Sequence, residues 1–392
     1  MHIPFCERKC LYCDFYSVAG TEQVEAFLVA LDREIMLRAQ HQDPATYETL
    51  FFGGGTPSVL TPRQLETILK RLRASFCIAS DAEITLEANP GTVTEESLQA
   101  YRALGVNRLS LGIQSFQDHE LDLLGRIHDR TEALRCVGWS RKAGFENVNL
   151  DLIYAIPGQI QTQWEDNLRI AVDLAPQHIA AYCLSVEERT PFARMVQAGV
   201  IPAHPTELEA CLYQRTMELL PLYGYQQYEV SNYARPGFCC RHNRAYWSHE
   251  DYLGFGPSAH SFWKQRDRLA GQRWWNVSDL SAYINHLTRG SVPVAAAEDV
   301  GARELAHERI LLGLRGDGLD LECVSPASGC GPSVWQTDLI RALFEEGLAV
   351  REGKLLRLTR KGYVLCDEIC ARFSRDAGAL RAASTPASSP SG

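Results

Sequence analysis

Through the first 230 residues, short apolar runs alternate with longer stretches in which apolar residues return every three or four positions. "YETLFF", "EITLEA", "RLSLGIQSF", "NVNLDLIYAIPG" and "HIAAYCLSV" read as strands, and "HIPF" as a strand stub at the start. Between them the spacing predicts helices, first from about Thr21 to Ala39 and then over "TPRQLETILKRLRASF", "TEESLQAYRALG", "TEALRCVGWSRKAG", "TQWEDNLRIAVDLA" and "ELEACLYQRTMELLPLYG". Thr61 and Pro62 supply a capping residue and an N1 proline, and Thr94 and Gly105 supply a cap and a stop. Six strand–helix units in succession imply a parallel sheet with right-handed crossovers. Periodicity leaves closure open, since a doubly wound sheet and a partial barrel both fit.

The rhythm breaks near Tyr228. "YEVSNYARPGFCCRHNRAYWSHEDYLGFGPSAHSFW" is rich in Gly, Pro and aromatics and reads as strands and loops. From about Arg303 the pattern turns helical again, and a helix, an "LAVREGKLLRLT" hairpin and a final helix resemble a winged-helix unit. DNA binding is the familiar use of such a unit, and interdomain packing the plainer one. The division expected is 1–230, 231–375, and a low-complexity, disordered tail over 376–392.

At 392 residues the chain exceeds one small core. A net charge of −9 argues against a general nucleic-acid binder, so no nucleic-acid partner is expected. No apolar run approaches the roughly 20 residues that span a bilayer, which leaves at most transient contact with a membrane surface. No secretory leader pattern opens the chain, and most of the 13 cysteines are scattered singly in apolar surroundings, as suits a reducing cytoplasm.

Unusual polar features fall where the predicted strands end. "GGGTP" (Gly53 to Pro57) follows the second strand, Glu87 ends the third, Gln114 ends the fourth, Asp151 lies in the fifth, and Ser185 and Glu187 close the sixth. In parallel α/β architectures these ends form one face, where ligands bind. Taken singly, Glu87 or Gln114 would be a solvated strand end, and Asp151 half of a structural ion pair. The glycine run is either a tight turn or a place where a ligand approaches the backbone. It is neither G-x-G-x-x-G nor a P-loop.

"CERKCLYC" places Cys6, Cys10 and Cys13 within eight residues. Structural zinc takes four ligands, and a fourth here would be His2, Asp14 or a distant residue. An iron–sulfur cubane held by three thiolates leaves one iron open to a small chelator.

The C-x3-C-x2-C spacing together with "GGGTP" resembles the radical S-adenosylmethionine (SAM) superfamily. That resemblance implies a partial (β/α)6 barrel with a C-terminal α+β extension, and a [4Fe–4S] cluster whose open iron is chelated by SAM. One electron from the cluster would then cleave SAM to a 5′-deoxyadenosyl radical. "HIPFC", "LEANPGT", "LGIQSF", "LGRIHD", "NLDLIYAIPGQ" and "DYLGFGPSAHS" narrow it to the oxygen-independent coproporphyrinogen III oxidase-like branch, up to about Phe373. By position, Gly54, Gly55, Thr56, Glu87, Gln114, Arg126 and Asp151 match residues that contact SAM in that branch.

The dehydrogenase of the branch usually has a further cysteine where this chain has Phe15. "CDF" and "HNRAYW" instead resemble the HemW-type haem chaperones, which implies haem as ligand, a haem-acceptor protein as partner, and an electron donor if the cluster is redox-active. His242 is then the expected axial ligand, supported by Asn243, Tyr246 and Trp247; Cys239 and Cys240 are weaker thiolate alternatives. Activity on coproporphyrinogen III or a related small molecule is the alternative, and a scaffold with a structural metal is a third reading. The branch normally has a tyrosine just before the "HIPF" segment, so a start upstream of Met1 is expected.

Overall fold

The computed structural model describes residues 1–41, 45–202, 205–265, 270–322 and 334–373. The expected disordered tail, 376–392, lies outside the described residues. Two compact units are present: Met1–His242 with Asp251–Trp263 and Gln272–Glu298, and Asn243–Glu250 with Lys264–Gly271 and Asp299–Gly392.

The first unit is built on six parallel strands in sequential order: β1 (His2–Ile3), β2 (Thr46–Gly54), β3 (Cys77–Ala88), β4 (Arg108–Gln114), β5 (Val148–Tyr154) and β6 (His178–Cys183). The antiparallel strands Asn232–Ala234 and Gln226–Gln227 extend the sheet beyond β6. Among the described residues β1 pairs with β2 alone, so the sheet stays open, as a partial barrel requires. The helices that cross between strands start where their capping residues predict. Thr61 and Gln64 form a reciprocal capping box before Pro62–Ser75, and Thr94 caps Glu95–Ala103. Asp129 caps Arg130–Lys142 in the same way.

Alternation along the strands gives the sheet two chemically different faces. Ile84, Leu86, Leu109, Leu111, Leu150 and Leu152 are buried and point one way. Thr49, Glu83, Glu87, Arg108, Ser110, Asn149, Asp151 and His178 stand on the other face, the concave lumen. A polar lumen must satisfy itself largely by hydrogen bonding; here Asn149, Asp151, Ser110 and His178 do so, while Thr85 Oγ1 and Arg108 Nε are buried without a partner among the described residues.

In the second unit the helix Ala302–Arg315, the strand Leu319–Asp320, the helix Val334–Glu345 and the hairpin Ala349–Glu352/Leu355–Leu358 surround Leu314, Leu343, Leu356, Ile369 and Phe373. This is the expected winged-helix-like arrangement. No helix among the described residues is long and apolar enough to cross a membrane.

"HNRAYW" departs from the loop expected there: Arg241–Trp247 is a helix. Seven residues are too few to show a period. The turn forms because Glu83, far away in sequence, accepts hydrogen bonds from the N–H groups of Arg241 at 3.1 Å and His242 at 3.2 Å.

Candidate functional site

The rim comes first. Cys6 ends the short strand Phe5–Cys6, and Cys10 and Cys13 follow in a loop tied to the barrel. Leu11 N donates to Leu124 O at 3.2 Å, Phe192 N donates to Leu11 O at 3.0 Å, and the Arg8 guanidinium donates to the carbonyls of Gly125 and Arg126. Burial pushes the Cys13 thiol up, offset in part by the Phe15 backbone, and Cys10 and Cys6 push it further. His2, one of the residues weighed as a fourth ligand, places Nε2 2.8 Å from Tyr16 O, and Asp14 is exposed.

Two of the thiols receive hydrogen bonds from residues that sequence matching assigned to SAM. Thr56 Oγ1 donates to Cys6 Sγ at 3.4 Å, and Arg126 Nη1 donates to Cys10 Sγ at 3.3 Å. Arg126 is 8% exposed, donates to Gly112 O at 2.7 Å, and keeps a buried Nε without a partner. Between Thr56 and Arg126 stands Asn89, which the sequence reading passed over. Its Nδ2 donates to Thr56 Oγ1 at 2.9 Å, and its Oδ1 accepts from Arg126 Nη2.

The glycines serve the close approach of the N-terminal segment. Gly54 has φ of 109°, and a Cβ on Gly55 would fall 2.7 Å from Phe5 O. Gly54 also supplies a backbone hydrogen bond to Glu87. Burial raises the Glu87 carboxyl to about 8, and Asp151 across the lumen adds to the rise. Asp151 accepts from Asn149 Nδ2 at 2.8 Å and Ser110 Oγ at 3.1 Å, and burial raises its carboxyl against the pull of those bonds and of Arg108 and Arg126. Gln114 ends β4 with φ of 67°. Ser185 and Glu187 lie exposed after β6 and join none of these contacts among the described residues.

The donor set fits a cubane. Three thiols stand at one rim, and a hydroxyl and a buried guanidinium donate to two of them. Among the described residues no three His, Cys, Asp or Glu side chains converge as a single-ion cage would require. A cubane offers each thiolate a different iron.

His242 lies elsewhere. Its Nδ1 is 2.8 Å from Thr49 Oγ1 and its ring stacks on Phe51 at 4.9 Å and 19°. Thr49, Phe51 and Gly53 alternate onto one face of β2. His242 therefore sits beside the lumen at the level of Thr49 to Phe51, two to four residues, or about 7 to 13 Å along the strand, down from Gly53. Burial lowers its imidazole to about 3, so the ring is neutral. Cys240 is buried with Sγ 3.4 Å from Glu83 Oε1. From there a buried series runs back toward the rim: Cys240 N donates to Tyr228 OH at 3.4 Å, Tyr228 OH lies 2.7 Å from His178 Nε2, and His178 Nδ1 lies 2.6 Å from Asn149 Oδ1. Asn149 ends it at Asp151. Asn243, Tyr246 and Trp247 belong to the second unit.

Comparison with known proteins gives a consistent result. Residues 1–171 match the radical SAM superfamily. The chain is 33% identical over 376 residues to the haem chaperone HemW of Bacillus subtilis (strain 168), covering 95% of this chain and 98% of that one. It is 36% identical over 374 residues to the haem chaperone HemW of Mycobacterium tuberculosis (strain H37Rv), covering 94% and 92%. Among solved structures it resembles coproporphyrinogen III oxidase (HemN) from Escherichia coli, a radical SAM enzyme, with a TM-score of 0.80 and 25% identity over 95% of this chain and 88% of that one.

Proposed function

The chain belongs to the HemW haem-chaperone family of the radical SAM superfamily, and on that premise we propose that it holds haem at His242 and delivers it to an acceptor protein, with a SAM-bound [4Fe–4S] cluster at the barrel rim. Cys6, Cys10 and Cys13 hold the cluster. Gly54, Gly55, Thr56, Glu87, Gln114, Arg126 and Asp151 form the SAM site, with Arg126 the cation for a carboxylate and Glu87, protonated near neutrality, a donor to an oxygen. When bound, the cluster supplies a single electron at the sulfonium of SAM.

The observation that carries the haem assignment is the fixed ring of His242. Thr49 engages Nδ1 and Phe51 packs on one face, which holds the imidazole in one orientation. A neutral imidazole is the ligating form, and burial keeps it neutral. We place the protein in the cytoplasm, served by an electron donor when the cluster is reduced, with membrane-surface contact at most transient. The eleven described cysteines are all free thiols, which supports a reducing compartment.

Anaerobic haem titration of wild type and His242→Ala tests the reading. The variant should bind more weakly or with a shifted Soret band; identical spectra and affinity would remove His242 from the site. The same protein with SAM, reductant and coproporphyrinogen III should leave the porphyrinogen unchanged. Protoporphyrinogen formation would instead make this a dehydrogenase.

A further inference from the structure

We propose that Asn89 is a positioning residue for the cluster: it holds Thr56 and Arg126 so that each donates a hydrogen bond to a different cluster cysteine, Cys6 and Cys10. This rests on the reading that those cysteines carry the cluster.

The amide can face only one way. Arginine has donors and no acceptor, so Asn89 must turn Oδ1 toward Arg126. Thr56 gives its hydroxyl hydrogen to Cys6, so it accepts from Asn89 Nδ2 at 2.9 Å. Flipping the amide would break both bonds at once. The backbone is pinned as well, with Asn89 N donating to Ser58 Oγ at 3.2 Å. β4 makes room for this arrangement, because a Cβ on Gly112 would fall 2.7 Å from Asn89 Oδ1. The result is one hydrogen-bonded bridge from Cys6 through Thr56, Asn89 and Arg126 to Cys10.

Hydrogen bonds to thiolate sulfur stabilise negative charge. A reduced cluster carries one more electron than an oxidised one, so these bonds favour reduction. Asn89 touches neither sulfur, yet it sets the aim of both donors. A merely structural residue would change stability and leave the potential alone.

The test is a redox titration of the reduced-cluster electron paramagnetic resonance signal in full-length, anaerobically reconstituted protein without SAM. Asn89→Ala should lower the ratio of reduced to oxidised cluster about tenfold at the wild-type midpoint, which is about 59 mV for one electron. Asn89→Ser, a milder change, should move it the same way and decides the matter if Asn89→Ala does not fold. Thr56→Val should shift the wild-type potential downward, and should shift an Asn89 variant by less. Unchanged midpoints in both Asn89 variants would overturn the proposal, as would a Thr56→Val shift equally large in wild type and variant. Cys10→Ala, which should lose the iron–sulfur absorbance, separates the two readings: a retained cluster there would fault the ligand assignment and not Asn89.

Discussion

The rim and the depth of one barrel lumen are held together by different means. At the rim the polar groups come from strand ends and the loops after them: Thr56, Asn89 and Arg126 follow β2, β3 and the helix Asp118–Leu124. Each brings a side chain to the thiols from a separate loop, and the bonds are few. Deeper down, Thr49 and Glu83 stand within strands, and Arg108, Asn149 and His178 at or near strand starts. Their backbones are fixed by the sheet ladder, and one carboxylate, Glu83, serves Cys240, Arg241 and His242 together. The rim is suited to exchangeable groups, while the deep site fixes one ring against rigid strands.

That contrast can be broken most forcefully at Glu83. Its removal leaves the Arg241 and His242 N–H groups unmatched and takes an opposing charge from Arg108, which is 2% exposed. Glu83→Ala should cost about 3 kcal/mol in chemical denaturation and shift the haem spectrum while the iron–sulfur absorbance persists. Loss of the cluster with haem binding intact would reverse the assignment of the two regions.

A smaller effect sharpens the rim. Glu87 has its carboxyl raised to about 8 in the folded protein from an ordinary 4.5, so between about pH 5 and pH 8 the folded chain keeps a proton that the unfolded chain has released. Its contribution to stability therefore falls as pH rises through that window. Glu87→Gln should flatten this part of the stability profile, measured as Tm against pH; an undiminished slope would contradict the buried-acid account.

The smallest expected effect is no change. His242 is lowered to about 3, so protons do not compete for it near neutrality, and haem affinity should stay level from pH 8 down to pH 5. An ordinary imidazole would lose affinity below about pH 6.5. A titration near that value in wild type, absent in His242→Ala, would show the ring to be far more solvated than its place against Phe51 allows.

The same contrast governs what could be read from the sequence. The cysteine spacing, the glycine run and the caps at Thr61 and Thr94 are local, so residue order alone carries them. Asn89 lay in plain view within "LEANPG", but its partners are 33 and 37 residues away along the chain and meet it only once β2, β3 and β4 are in register. Glu83 was invisible for the same reason: its partners lie 157 to 159 residues on, and the helix they open was too short to show a period. The open edge of the sheet was equally beyond periodicity, since β1 and the strands after β6 close or fail to close by geometry alone.

The most direct test is a crossed one. Wild type, Cys10→Ala and His242→Ala are reconstituted anaerobically, and each is read for iron–sulfur absorbance and for its Soret band after haem addition. Cys10→Ala should lose the first and keep the second, and His242→Ala should do the reverse. If either substitution erased both signals, or if His242→Ala left the Soret band as in wild type, the separation of cluster and haem along this lumen would be wrong.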